Sequence, residues 1–216
     1  MFVANRMTPN PVTVPPDTSI IDAAHIMKQK RFRRLPVVEN GKLVGFFSDR
    51  DLMRIAPSPA TSLSRFEIRE LLTKIKVTEI MHKNVPTVRD DATIEEASLI
   101  MYQNKVDGLP VLSQLGAVVG IITETDIFKA LIDIMGLPKG KTRLTLEVEN
   151  KIGAVKEIAE VFSNGGLNID SLITCKQPNG KYEFVIRGNF PEQVEDGIKK
   201  QLEAKGYKII HAVRIE

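Results

Sequence analysis

Two short motifs carry residue types from which a binding site could be built. Ser48-x-x-Asp51 follows the apolar stretch Gly45-Phe46-Phe47, and Thr123-x-x-Asp126 follows Gly120-Ile121-Ile122. A hydroxyl at a helix start with an aspartate one turn on will cap a helix and suit its dipole. The same set also suits a nucleotide. The hydroxyl and the exposed amides can meet a phosphate, and the carboxylate can accept hydrogen bonds from ribose hydroxyls. Finding it twice, each time after the same kind of strand, favours the binding role over a cap alone. A basic run, Lys28, Lys30, Arg31, Arg33 and Arg34, stands just before the apolar strand Leu35 to Val38. Successive strand residues face opposite ways, so one of Arg33 and Arg34 can point into a pocket while the other faces solvent. The guanidinium fork matches phosphate geometry. The equivalent positions beside the second motif are Asp107 and Gly108, so the two sites are not expected to hold a phosphate equally.

Catalytic chemistry is not expected. His25, His82 and His211 are far apart and belong to no Ser-His-Asp, Cys-His or His-x3-His pattern. A lone histidine on a helix or strand is read as structural. The single cysteine, Cys175, rules out an intramolecular disulfide and a cysteine-cluster metal site. A net charge of +3 is too mild to argue for nucleic acid. The basic run also lacks interleaved aromatics beyond Phe32. No apolar run approaches the roughly 18 residues of a membrane span, and the opening MFVANRMTPNPV has no signal-peptide core. The expectation is a cytoplasmic protein without enzymatic activity.

The elements that hold these motifs are duplicated. Leu109-Pro110-Val111 repeats Leu35-Pro36-Val37 at an offset of 74, and Gly120 repeats Gly45 at an offset of 75. One residue has therefore been added to the second hairpin, whose first-copy turn is Asn40-Gly41. Upstream, Val12-Thr13-Val14 and Pro86-Thr87-Val88 are short extended segments. Ser19 and Thr93 are N-caps, followed by the stripes Ile20, Ala23, Ala24, Met27 and Ile94, Ala97, Ser98, Met101. Each copy reads strand, helix, strand, hairpin, strand, helix. The copies span 7–57 and 81–135. Between them, over 58–80, PSPATSLS leads into a helix capped by Ser64 and Glu67 with the stripe Ile68, Leu71, Leu72, Ile75. A linker at 136–141 follows, and the pattern then changes over 142–216. Leu144, Leu146 and Val148 alternate, and Asn150 to Gly153 turns. Val155, Ile158, Ala159 and Phe162 form a stripe ended by Gly165-Gly166, and strands are expected over 167–176, 182–187 and 209–215, with a helix after Pro191. The order is βαββαβ, the ferredoxin-like arrangement, so the fold class is α+β.

The duplicated Leu-Pro-Val strands and Gly-h-h-[Ser/Thr]-x-x-Asp ends resemble tandem cystathionine-β-synthase (CBS) domains, a Bateman module. The tail resembles an ACT domain through Asn150-x-x-Gly153, the helix, the glycines and Asn168-Ile169. The whole order resembles the bacterial acetoin utilisation protein B family. The resemblance implies an adenosine-containing ligand (AMP, ADP, ATP or S-adenosylmethionine) between the repeats. Asp51 and Asp126 would hold ribose, and Ser48 and Thr123 would lie near phosphate. Thr13-Val14 or Thr87-Val88 would line the base. It also implies a small effector, often an amino acid, at Asn150, Ile152, Gly153, Asn168 and Ile169. Asn150 stands where the family has Asp, which takes a charged partner from a ligand ammonium.

No cofactor is expected to be required. A homodimer is expected, because the helices present more apolar stripe than one module covers. A scaffold with empty pockets is the rival reading. The downstream protein partner is not encoded in these motifs, and acetoin catabolism enters only through the resemblance.

Overall fold

The computed structural model describes residues 1–55, 64–137 and 141–214; most of the PSPATSLS loop and residues 138–140 of the linker lie outside them. The chain divides into two units, Met1–Ile127 and Phe128–Glu216. No helix is long and apolar enough to cross a membrane among the described residues.

In the first unit a short 3-10 helix (Val3–Asn5) precedes β1 (Thr8–Pro9), α1 (Ile20–Lys30), β2 (Arg34–Glu39), β3 (Lys42–Ser48) and α2 (Asp49–Ile55). Then come α3 (Arg65–Lys74), α4 (Val77–Ile80), β4 (Val88–Arg89), α5 (Ile94–Asn104), β5 (Gly108–Leu112), β6 (Val118–Thr123) and α6 (Glu124–Ile134), which ends in the second unit. The expected caps form. Ser19 accepts from the Asp22 amide, and Ser64–Glu67 and Thr93–Glu96 make reciprocal capping boxes. The stripes bury Ile20, Ala23, Met27 and Ile94, Ala97, Met101 against the strands. On α3 the stripe is narrower than expected: Leu72 and Ile75 pack on the first core, while Leu71 is exposed.

The hairpins show where the added residue went. Both share a bulge before the glycine, with Val37 opposite Gly45 and Val38 opposite Leu43, then Val111 opposite Gly120 and Leu112 opposite Val118. The first closes through Asn40 and Gly41, both at positive φ, as a tight two-residue turn needs. The second closes over Ser113 to Ala117 with only Gly116 at positive φ, and the Ser113 amide donates to the Ala117 carbonyl at 2.9 Å.

The two repeats exchange their opening segments. β1 does not join the first repeat; it pairs with β6, giving the sheet β1-β6-β5-β4. Reciprocally, His82 bridges Phe46 of β3. The main-chain bonds match one for one at an offset of 74. The Val3 amide donates to the Ala92 carbonyl at 2.8 Å and that of Val77 to Thr18 at 2.9 Å; Ala4 donates to Asp90 at 3.0 Å and Thr78 to Pro16 at 3.1 Å. The recurrence of glycine at 45 and 120 now has a cause. A Cβ at Gly45 would overlap Met81 Sδ, and one at Gly120 would overlap Met7 Sδ. Each glycine admits the methionine of the other repeat's opening segment. Residues 1–6, outside the expected first copy, are thus part of the second repeat's packing.

The second unit comprises β7 (Thr142–Val148), α7 (Ala154–Asn164), β8 (Ser171–Lys176), β9 (Tyr182–Gly188), α8 (Glu192–Ala204) and β10 (Lys208–Arg214). Its antiparallel sheet has the order β10-β7-β9-β8, the ferredoxin-like βαββαβ topology. Leu144, Leu146 and Val148 of β7 meet Ile158, Val161 and Phe162 of α7 and Ile198 and Leu202 of α8 in one core. Val155, expected on the buried stripe, is exposed; Ala154 takes its place. Strand β8 begins only at Ser171, leaving 167–170 outside the sheet. The last carbonyls of α6 are taken up in this unit: Ser171 Oγ donates to Ile134 at 3.1 Å and Arg187 Nη1 to Met135 at 2.9 Å. Arg187 is buried, and a cation there complements a helix C-terminus. These bonds explain why the division between units falls inside α6 and not at the expected linker.

Candidate functional site

The first unit contains two clefts related by the repeat. One, of about 440 Å³, is lined by Thr8, Pro11, Val12, Arg31 to Arg34 and Asp107, together with Ile121 and Thr123 to Thr125. The other, of about 470 Å³, takes Phe46, Ser48 to Asp51 and Arg54 from the first repeat. Its facing wall is His82, Asn84 to Pro86 and Asn104 to Gly108. Both volumes fall within the range of small-molecule sites, roughly 300–1,000 Å³. Each cleft combines the hydroxyl motif of one repeat with the segment after the first helix of the other.

The two aspartates act first on their own motifs. Asp51 Oδ2 accepts from the Ser48 amide at 2.9 Å and from Ser48 Oγ at 2.7 Å. Asp126 Oδ2 accepts from the Thr123 amide at 2.8 Å and Thr123 Oγ1 at 2.7 Å. One carboxylate oxygen in each copy therefore fixes the turn and aims the hydroxyl. The copies differ at the other oxygen. Asp51 is 3% exposed, and its Oδ1 lies 3.0 Å from His82 Nε2 and 4.0 Å from Arg54 Nη1. Ser48, Asp51 and Thr123 line the clefts, whereas Asp126 stands behind Thr123.

Arg33 and Arg34 both line the Thr123 cleft, Arg33 from outside the strand, so they do not split between pocket and solvent as alternation led one to expect. Arg34 bonds Asp107, Nε donating to Oδ1 at 3.1 Å and Nη2 pairing with Oδ2. This pair forms the wall shared by both clefts. Gly108, the repeat counterpart of Arg34, leaves the room in which the Arg34 side chain lies. Burial raises the Asp107 carboxyl, but the bond and charge of Arg34 and the charge of Arg50, 3.4 Å away, outweigh it and hold the group below the usual carboxylate range. Arg33 is exposed and lines the Thr123 cleft, not the Ser48 cleft. Arg31 and Lys105, equivalent in the repeat, both cap their helices in the left-handed conformation, at φ 58° and 54°. Each brings a cation to one cleft, so the second repeat is not without one.

Thr13, Val14, Thr87 and Val88 are placed differently from the expectation. Val14 bridges Val37 and Val88 lies opposite Val111, both with buried side chains. The segments meet the clefts earlier, at Pro11-Val12 and Asn84 to Pro86. The chain must enter the sheet with a valine in the core, which leaves the preceding residues at the cleft. His82 was read from sequence as structural; the structure sets it against Asp51. The signal that could have found it is the match of Val3, Met7 and Asn10 with Val77, Met81 and Asn84, which makes Thr8 the counterpart of His82.

In the second unit the five expected effector residues do not converge within one chain. Asn150, Ile152 and Gly153 form the exposed turn before α7. That turn is tied by Lys151 Nζ and Tyr207 Oη, each donating to Glu157 Oε2 at 2.7 Å. These bonds, Lys151 first, hold the Glu157 carboxyl low. Asn168 and Ile169 follow the other end of α7, about 16 Å away at 1.5 Å per residue, beside a shallow depression with Phe162 and Leu167.

Paired repeats with a cleft on either side of a shared Arg–Asp wall define a tandem-repeat module. The CBS domain model matches residues 3–58 and 77–133, and the chain belongs to the CBS-domain family. CBSX2 of Arabidopsis thaliana, solved in complex with AMP, is 30% identical with a TM-score of 0.50, over 62% of this chain and 97% of that one. The CBS domain pair of protein MJ0100, in complex with 5′-methylthioadenosine and S-adenosyl-L-methionine, is 27% identical with a TM-score of 0.50 over 61% of this chain and 95% of its own. A putative acetoin utilization protein of Vibrio cholerae is 30% identical, TM-score 0.52, over 63% and 94%.

Proposed function

We propose that the chain is a non-catalytic sensor of an adenosine-containing ligand, AMP or S-adenosylmethionine being the first to test. The observation that carries this reading is the cross-repeat construction of both clefts, each presenting an Asp-held hydroxyl opposite a basic helix end. Structures similar to this chain hold such ligands. Ser48, Asp51, Thr123 and Asp126 would hold ribose and phosphate. Arg33 would meet the phosphate in the Thr123 cleft, while Arg34 is engaged with Asp107. The base would lie against Pro11-Val12 or Val85-Pro86, next to Thr13-Val14 and Thr87-Val88.

The βαββαβ topology of the second unit supports reading it as an ACT-type effector or dimerisation module. The separation of its two residue groups within one chain fits an effector site completed by a second copy. Exposed Leu99, Tyr102, Phe128 and Leu131 on α5 and α6 support a homodimer. A link to acetoin catabolism is supported by the Vibrio cholerae similarity alone. Calorimetry of the full chain with AMP, adenosine and S-adenosylmethionine tests the reading. Binding that is lost in Asp51→Ala, Asp126→Ala with the fold retained upholds it; unchanged affinity refutes it. Silence towards all three ligands favours a scaffold with empty clefts.

A further inference from the structure

Accepting the nucleotide reading of the clefts, we propose that His82 competes with ribose for Asp51, leaving each chain with one strong and one weakened site. The copies differ here also in Arg54, 4.0 Å from Asp51 Oδ1, and in Asp126, which stands behind Thr123. In both, Oδ2 of the aspartate is spent on the Ser48 or Thr123 motif, so only Oδ1 remains to accept from a ribose hydroxyl. Asp51 Oδ1 is met by His82 Nε2 at 3.0 Å. An ionised carboxylate can only accept, so Nε2 carries the proton and takes one of the two accepting positions of Oδ1, leaving a single one for the two ribose hydroxyls. The imidazole is 62% exposed and the carboxylate 3%, so His82, with Arg54 beside it, lies between Asp51 and solvent.

Thr8 stands at the matching place in the other cleft, on the strand pairing with Ile121 as His82 bridges Phe46. No contact to Asp126 Oδ1 is made by it among the described residues. His82 is held by its main chain, whose amide and carbonyl exchange bonds with Phe46 at 3.0 and 2.9 Å. Its side chain is therefore free to be specialised without loss of the sheet.

A ligand entering the Asp51 cleft must break one charge-assisted hydrogen bond before making its own. That costs roughly tenfold to a hundredfold in affinity. Calorimetry of the full chain with AMP reads it directly. The wild type should show one site per chain and a second weaker by that factor. His82→Thr, which installs the other repeat's residue, should bring the second site to within a few-fold of the first. His82→Thr, Asp51→Ala should lose the gained site again. His82→Ala, with thermal melting as the fold control, repeats the test with a different side chain. Two equal sites in the wild type, or folded His82 variants with the wild-type isotherm, overturn the proposal while leaving the nucleotide reading standing. No AMP heat from wild type or variants overturns that reading, and the proposal with it.

Discussion

Replacing Asp107 with asparagine should push stability and phosphate affinity in opposite directions. Arg34 makes two contacts to this carboxylate and Arg50 a third. The side chains are 17% exposed for Arg34 and 32% for Asp107. Removing one member of a fully buried pair costs about 3–5 kcal/mol. Solvent reaches this one, so the loss should be about 1.5–3 kcal/mol, the range for hydrogen bonds to charged groups. For a domain of this size that is a fall in Tm of roughly 5–12 °C. The pH dependence has a fixed sign. The folded carboxyl is held below its ordinary value, so its contribution is fully present above the unfolded pKa and is lost as pH falls through the folded one. Wild type and Asp107→Asn should therefore differ at neutral pH and converge in strong acid. The freed Arg34 faces both clefts, so AMP should bind more tightly relative to adenosine. Urea denaturation at neutral and acid pH, with calorimetry for the two ligands, reads all of this. Equal stability at neutral pH, or a deficit that persists unchanged in acid, would refute the ion-pair argument.

Other expectations follow the same geometry. Gly45→Ala should cost about 1–3 kcal/mol by overpacking on Met81. Met81→Ala in the same chain should recover part of it, and strict additivity in that double-mutant cycle would contradict the exchanged packing. Arg33→Ala should weaken AMP roughly tenfold and adenosine much less, as calorimetry can show; equal losses would remove Arg33 from the phosphate. Saturating AMP should change hydrogen exchange in residues 134–137 and 171–187, where the end of α6 is bonded to Ser171 and Arg187. Unaltered exchange there would make the two units independent.

Much of this fold was legible because local chemistry and burial agreed. Ser19, Ser64 and Thr93 announced helix starts, Asn40-Gly41 a tight turn, and the 74-residue offset a duplication. What stayed hidden was long-range pairing. A two-residue strand such as β1 has no periodicity of its own, and only its partner β6 decides where it goes. Reading Met7 as the start of the first copy followed from that. Alternation did not apply to Arg33, which precedes β2 and shares the Thr123 cleft with Arg34, and it could not say that Asp107 would engage the second. Thr13-Val14 was misplaced against the cleft by two residues, because a strand end can set either neighbour toward the core.

The exchange of segments also bears on how occupancy would be felt. Neither cleft belongs to a single repeat: one takes Thr8, Pro11 and Arg33 from the first and Thr123 from the second, the other Ser48 and Asp51 from the first and Lys105 from the second. A bound nucleotide would touch both walls and the Arg34–Asp107 pair between them. Its binding energy would then add to the pairing of the repeats. At a concentration a hundredfold above Kd that linkage is about 2.7 kcal/mol, comparable to the whole Arg34–Asp107 interaction. A nucleotide bound this way would be felt through the rigidity of the repeat pair, and α6, whose first turn carries Asp126 and whose last carbonyls Arg187 and Ser171 hold, is the segment common to both units.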